Sequence, residues 1–306
     1  MGILFTFSDI RIFNPSAITE SAQSFIYLQL MNHRITIFLL LFTSCTASKK
    51  NIVKPDSNHF PTTVEKSTSL PARENFYIFI LAGQSNMAGR GLVQPQDTIS
   101  SRLVLTLDKN NEWVYAKEPL HYYEPSRTGL DCGLSFGKKL AALYKKKITI
   151  GLVPCAVGGS SIEQWIGDST YRDVTLYSNL INKARKAATH GTIKGILWHQ
   201  GEANANTGNY KNYKEKLELF FTKLRNDLGD STLPVYAGQL GSFLDRKTNP
   251  FVDSINNDLK RLSSSFKNFY VINISDFTPK PDSIHFNSRS QRIMGERFAK
   301  LVYKTH

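Results

Sequence analysis

Residues 77–81 form an unbroken run of apolar, β-branched or aromatic side chains with no polar alternation, the pattern of a central parallel strand covered on both faces. The same grammar repeats down the chain. Leu134, Phe136, Leu140, Ala141 and Tyr144 recur at helical spacing before a second apolar strand at 148–153. A helix at 176–189 then leads to a strand at 193–198, one at 210–228 leads to 235–240, and one at 251–265 leads to 269–274. A closing helix is expected over 288–303. Residues 103–107 and 113–116 flank a short polar loop and read as a hairpin inserted on the rim of the sheet. Five strands alternating with helices predict one α/β domain, a three-layer α/β/α sandwich on a five-stranded parallel sheet.

The first part of the chain lacks this pattern. Residues 1–30 have no clear period and read as an over-extended start. Met31-Asn32-His33-Arg34, the apolar run 35–42 and Thr43-Ser44-Cys45 then give a basic head, a short apolar core and small residues, the order of a secretory signal. Cys45 stands where a lipoprotein signal places its lipidated cysteine; a plain signal peptide with an incidental cysteine is the alternative. Residues 45–74, rich in Ser, Thr, Pro, Lys and Asn, read as the lipidated cysteine and a flexible tether. The organisation expected is therefore 1–44 as start and signal (31–44), 45–74 as anchor and tether, and 75–306 as the working domain. Export to a bacterial cell envelope, with a lipid anchor in the membrane, follows from it.

Composition changes this picture little. A hydrophobic content of 41% supports a packed core, and the net charge of +13 raises the question of anionic partners. The lysines, however, are spread along helices and loops, no nucleic-acid module is legible, and solvated helix faces account for them. Of three cysteines, Cys45 belongs to processing, and Cys155 after the second strand reads as a buried thiol.

In a parallel sheet each strand delivers its following loop to the same edge, where open α/β sheets bind ligands. After the first strand come Gln84, Ser85 and Asn86, where a serine can serve as a nucleophile or simply cap a turn. After the second comes Gly158-Gly159-Ser160-Ser161, whose glycines let a backbone N–H approach an oxyanion. After the third comes His199-Gln200-Gly201-Glu202-Ala203-Asn204. The Gln200 amide can donate to an oxyanion, Glu202 can fix loops, and His199 reads as a packing residue because no metal-ligand spacing accompanies it. After the fifth, Asp282 and His285 lie three residues apart, so one turn presents both. The carboxylate can hold Nδ1–H and leave Nε2 to deprotonate a serine. Gln164, Trp165 and Tyr171, just beyond the Gly-Gly loop, could line a sugar site or fill the core, and Trp113 on the hairpin is a further aromatic candidate.

Together, GQSNMAGRG, VPCAVGGSSIEQW, LWHQGEANA and DSIHF resemble the conserved blocks of the SGNH hydrolase superfamily. Their wording is most similar to its sialate O-acetylesterase and acetylxylan esterase branch, carbohydrate esterase family six, over residues 75–304. The resemblance implies Ser85, Asp282 and His285 as the catalytic triad, and an oxyanion hole of the Ser85 and Gly159 N–H groups with the Gln200 side chain. Gln84, Asn86 and Glu202 are implied as support. It implies no metal and no organic cofactor, and a serine esterase that removes O-acetyl groups from acetylated xylan or a related glycan. Sialate O-acetylesterase activity and a non-catalytic glycan-binding lipoprotein are the alternatives, with a lipase or thioesterase as the rival within enzymes. Asn204 and His199 depart from the family wording, where an acidic residue and an aromatic are common.

Overall fold

The structure, a computed structural model, describes residues 64–205 and 208–306. The segment expected to be a signal at 31–44, Cys45 and most of the expected tether lie outside the described residues. The central strand is β1 (Phe76–Gly83). Its side chains alternate between two cores: Phe76, Ile78, Ile80 and Ala82 enter one, while Phe79 and Leu81 enter the other. A strand buried on both faces therefore shows no polar alternation.

After β1 the chain forms α1 (Ser85–Ala88), β2 (Val104–Leu107), β3 (Trp113–Tyr115), α2 (Gly133–Leu143) and β4 (Thr149–Pro154). Then come α3 (Ile162–Ile166), the short strands β5 (Thr170–Tyr171) and β6 (Val174–Thr175), α4 (Leu176–Ala188) and β7 (Thr192–His199). The remainder is α5 (Tyr213–Leu228), β8 (Val235–Gly238), α6 (Val252–Ser265), β9 (Phe269–Ile272) and α7 (Ser288–Thr305). Helices α3 to α6 cover the first core, and α2 and α7 cover the second, which gives the three layers expected.

The main sheet has seven strands in the order β3-β2-β4-β1-β7-β8-β9, not five. The five strands read from the sequence are all there and pair in parallel. The other two are the hairpin. It is no rim insertion, because β2 pairs in parallel with β4 and β3 pairs antiparallel with β2, so the hairpin extends the sheet. The tether also ends earlier than expected. The Tyr115 N–H donates to the Glu65 carbonyl (2.9 Å) and the Ser67 N–H to the Trp113 carbonyl (3.1 Å), so residues 65–67 cover the free edge of β3.

The direction of chain travel reverses around β1: β4 and β2 lie to one side, and β7, β8 and β9 to the other. At such a switch point the loops diverge and leave a crevice at the carboxyl ends of the strands. The loops after β1, β4 and β7 and the long loop after β9 meet there.

Candidate active site

Ser85 owes its position to a sharp strand-to-helix turn. Gly83 has φ +131°, and a Cβ placed on it would lie 2.1 Å from the His199 carbonyl oxygen, so no other residue lets β1 and β7 run this close. The Gln84 N–H donates to that same carbonyl (2.8 Å). The chain then turns at once into α1, whose first residue is Ser85, only 8% exposed.

The loop after β9 brings the histidine. Asp282 Oδ1 accepts from the backbone N–H groups of Ile284 and His285, both at 2.9 Å, which folds residues 282–285 into one turn. Asp282 Oδ2 lies 3.0 Å from His285 Nδ1, and His285 Nε2 lies 3.1 Å from Ser85 Oγ. Burial works to raise the Asp282 carboxyl but is outweighed by the two backbone N–H donors and the His285 ring, which hold it down at about 2. It is a carboxylate wherever the imidazole can act as a base. The three side chains form a continuous relay across 200 residues of sequence.

Asn86 fastens the two loops together. Its Nδ2 donates to Glu202 Oε1 (2.6 Å) and to the Ile284 carbonyl (3.4 Å), while its Oδ1 accepts from the Phe286 N–H (3.0 Å). Glu202 Oε1 also lies 3.5 Å from His199 Nδ1. His199 itself is fully buried, with Nε2 against the Gln239 carbonyl (2.9 Å) and its ring edge-on to Phe286, a packing residue.

Two backbone donors sit in the turns after β1 and β4. Among the described residues neither the Ser85 N–H nor the Gly159 N–H is given to any acceptor, and the first is one of the orphan donors at the start of a helix. Gln200 behaves differently from expectation. It is fully buried, and its Nε2 sits against Gln84 Oε1 (3.2 Å), the Ser160 carbonyl (3.2 Å) and Asn204 Oδ1 (2.7 Å). Two amide hydrogens already serve three acceptors, so Gln200 braces the loops instead of presenting a free donor. Gln84 is the hub of that brace: its Oε1 also accepts from the Gly201 and Ala203 N–H groups.

The residues expected to touch sugar divide. Trp165 is fully buried, donates through Nε1 to Ser160 Oγ (2.9 Å) and packs edge-on to Trp198 and Phe220, so it is core. Gln164 closes a capping box with Ser161 at the start of α3. Trp113 packs on Phe76, at the other end of β1 from Ser85. Only Tyr171 reaches the crevice, its hydroxyl 3.0 Å from where a Gly159 Cβ would stand.

Asn204 explains its own departure from the family wording. Its Oδ1 accepts from the Ile162 N–H (3.1 Å), while its Nδ2 donates to both Glu163 oxygens (3.0 and 2.8 Å). An acidic residue there would oppose Glu163. Cys132 and Cys155 are both buried free thiols. Sequence reading missed a buried ion cluster of Arg90, Glu124 and Arg172 beside Gly158, because its members lie 34 and 48 residues apart with no pattern linking them.

Comparison with known proteins gives the family of the chain. The family model described as carbohydrate esterase, sialic acid-specific acetylesterase matches residues 75–304. The Arabidopsis thaliana protein described as "Probable carbohydrate esterase At4g34215" is 28% identical over 244 residues, covering 73% of this chain and 88% of the relative. Its X-ray structure superposes with a TM-score of 0.66 at 25% identity, covering 76% of this chain and 99% of that one. NanS shares the fold with a TM-score of 0.61 at 18% identity over 77% of this chain and 99% of its own. So does XAC1771, a carbohydrate acetylesterase from Xanthomonas citri, with a TM-score of 0.56 at 19% identity over 76% and 57%.

Proposed function

Because the chain belongs to the carbohydrate esterase, sialic acid-specific acetylesterase family of SGNH-type hydrolases, we propose that it deacetylates carbohydrate through an acetyl-serine intermediate on Ser85. It is a carboxylic ester hydrolase, and O-deacetylation of carbohydrate is the chemistry of its family. The observation that carries the mechanism is the unbroken relay Asp282–His285–Ser85.

In this reading His285 Nε2 takes the Ser85 Oγ proton as Oγ bonds to the acetyl carbonyl carbon. The carbonyl oxygen becomes an oxyanion, received by the Ser85 and Gly159 N–H groups. Collapse breaks the bond to the sugar oxygen, which takes the proton from His285. Water, deprotonated by the same imidazole, then releases acetate and restores the serine. Asp282, ionised throughout, fixes the tautomer and balances the imidazolium. Gln200, Gln84, Asn86 and Glu202 act by holding the loops in register.

For substrate we place the enzyme on acetylated xylan or a related glycan. O-acetylated sialic acid is a second reading, favoured by the description of the matching family model. Acetate release from both, by the wild type and by Ser85→Ala, is the test. Loss on the order of a million-fold in the variant is expected, with a mass gain of one acetyl group on Ser85 in quenched wild-type enzyme. Undiminished turnover by the variant would sink the assignment. We also propose an exported protein anchored through a lipid on Cys45, a reading that rests on the sequence around residues 31–45. Cys45→Ala should abolish metabolic labelling by palmitate, and persistent labelling would refute the anchor.

A further inference from the structure

The crevice is flanked by a charge cluster that the esterase mechanism does not use. β5 and β6 form a hairpin whose two turn residues, Arg172 and Asp173, both have positive φ (50° and 61°). Both angles are those of the two-residue turn that a tight hairpin favours, and this turn presents the Arg172 side chain. Its Nη2 lies 3.5 Å from where a Gly159 Cβ would stand, beside one of the two proposed oxyanion donors.

A buried carboxylate holds it there. Glu124 Oε1 accepts from Arg172 Nη1, while Oε2 accepts from Arg90 Nη2 (2.7 Å) and from the Gly158 N–H (2.6 Å). The Glu124 and Arg90 side chains are 6% and 7% exposed, and that of Arg172 is 31% exposed. Gly158 is compressed against the cluster, since a Cβ on it would meet Arg90 Nη2 at 2.1 Å. Burial, with the neighbouring Arg127 charge second, pulls the Arg90 guanidinium down to about 10, and it remains a cation at neutral pH.

Two guanidinium groups against one carboxylate leave one positive charge unbalanced. Among the described residues Arg172 Nη2 donates to no protein acceptor, and it is on the partly exposed member of the cluster. A cation that serves only to pin the hairpin would be satisfied by Glu124 alone. This one also offers a planar donor edge at the lip of the site, the geometry in which arginine recognises a carboxylate.

We propose that Arg172, held by Glu124 and backed by Arg90, is a specificity residue that binds a carboxylate on the acetylated sugar. The enzyme then favours O-acetyl esters of acidic sugars over those of neutral ones. The inference rests on the esterase reading and narrows its substrate class. The carboxylate can belong to a sialic acid or to a uronic acid branch of a xylan.

The test uses the purified protein with three substrates: O-acetylated sialic acid, an acetylated xylooligosaccharide bearing a glucuronic acid branch, and the same oligosaccharide without it. We expect a higher kcat/KM for at least one carboxylated substrate than for the neutral one. Which of the two leads identifies the source of the carboxylate. In Arg172→Ala the ratio of acidic to neutral kcat/KM should fall by about ten- to a hundredfold, chiefly through KM, the span that one charged hydrogen bond supplies. Arg172→Lys should retain part of the preference. Raising salt from about 0.05 to about 0.5 M should erode it in the wild type, because the pair is partly exposed. The salt series and the lysine variant decide the matter if the alanine variant does not fold. Equal turnover of acidic and neutral esters by the wild type, or an unchanged ratio in Arg172→Ala, would overturn the subsite alone. Failure to release acetate from all three would overturn the esterase reading with it.

Discussion

Asn86→Ala separates the framework of the site from its chemistry. Asn86 touches no reacting atom in the proposed mechanism, yet it ties the serine turn to Glu202 on one side and to the histidine loop on the other. Truncation removes a buried hydrogen bond to a carboxylate, about 1.5–3 kcal/mol, and leaves the buried Phe286 N–H without its acceptor, a further ~1–3 kcal/mol. A water admitted to the vacated volume recovers part of this, so we expect a net loss of about 3–4 kcal/mol. That is a large share of a stability of about 5–15 kcal/mol. With a urea m-value near about 3 kcal/mol/M for a domain of this size, the midpoint should drop by ~1 M. Activity measured well below the midpoint should show kcat reduced by about a hundredfold, the effect of displacing a catalytic group by roughly an ångström. A midpoint shift under about 0.3 M with kcat within about twofold would refute the reasoning. Asn86→Asp is the companion. It keeps an acceptor for Phe286 but faces Glu202 with a second carboxylate, a pair that holds a proton the unfolded chain releases. Its destabilisation should therefore be greater at pH 8 than at pH 5.

Other outcomes follow from the same geometry. Asp282→Asn should lower kcat by about ten-thousandfold, checked by acetate release, because the imidazole loses its tautomer. The Asp282 carboxyl is held at about 2 in the folded protein against an ordinary 3.8, so its contribution to stability is present above the ordinary value and lost as pH falls toward about 2. Urea midpoints between pH 5 and pH 2 should fall more steeply for wild type than for Asp282→Asn. Glu118 is fully buried, and burial first, then the Asp131 charge, raises its carboxyl well above the ordinary 4.5. Its stability contribution is present below that ordinary value and declines as pH rises, so Tm should fall with increasing pH and do so less in Glu118→Gln. Gly159→Ala should cost about 1–2 kcal/mol in a urea melt, since φ is +83° and the Cβ meets the Tyr171 hydroxyl at 3.0 Å. It should also slow turnover by about ten- to a thousandfold through displacement of the N–H donor.

What was legible in the sequence was what local chemistry dictates. The run 77–81 could be recognised as a strand because burial on both faces removes every polar residue, and Asp282 and His285 could be paired because one turn spans them. The hairpin was legible as a hairpin but not as part of the main sheet. β2 and β3 are only four and three residues long, and apolar alternation does not say which neighbour a strand will join. Trp165 and Gln164 stood open between sugar contact and packing, because an aromatic beside a site loop has the same local signature whether it faces the crevice or, as here, Trp198. Gln200 was read by its chemistry as a donor, and only the positions of Gln84, Ser160 and Asn204 show that the donor is already engaged. The Arg90–Glu124–Arg172 cluster left no trace in the pattern, since its members come from three loops that meet only in the folded chain.

If the relay is the catalytic machinery proposed above, the 200-residue separation of Ser85 from His285 also governs when the enzyme becomes active. A nascent chain can complete β1, the serine turn and most of the sheet while possessing a nucleophile with no base. In the proposed mechanism hydrolysis can begin only after the loop between β9 and α7 has left the ribosome and docked beside α1. Contacts this distant along the chain are among the slowest to form, so the onset of acetate release in a refolding experiment should trail the recovery of helical circular dichroism and report the closing step of assembly.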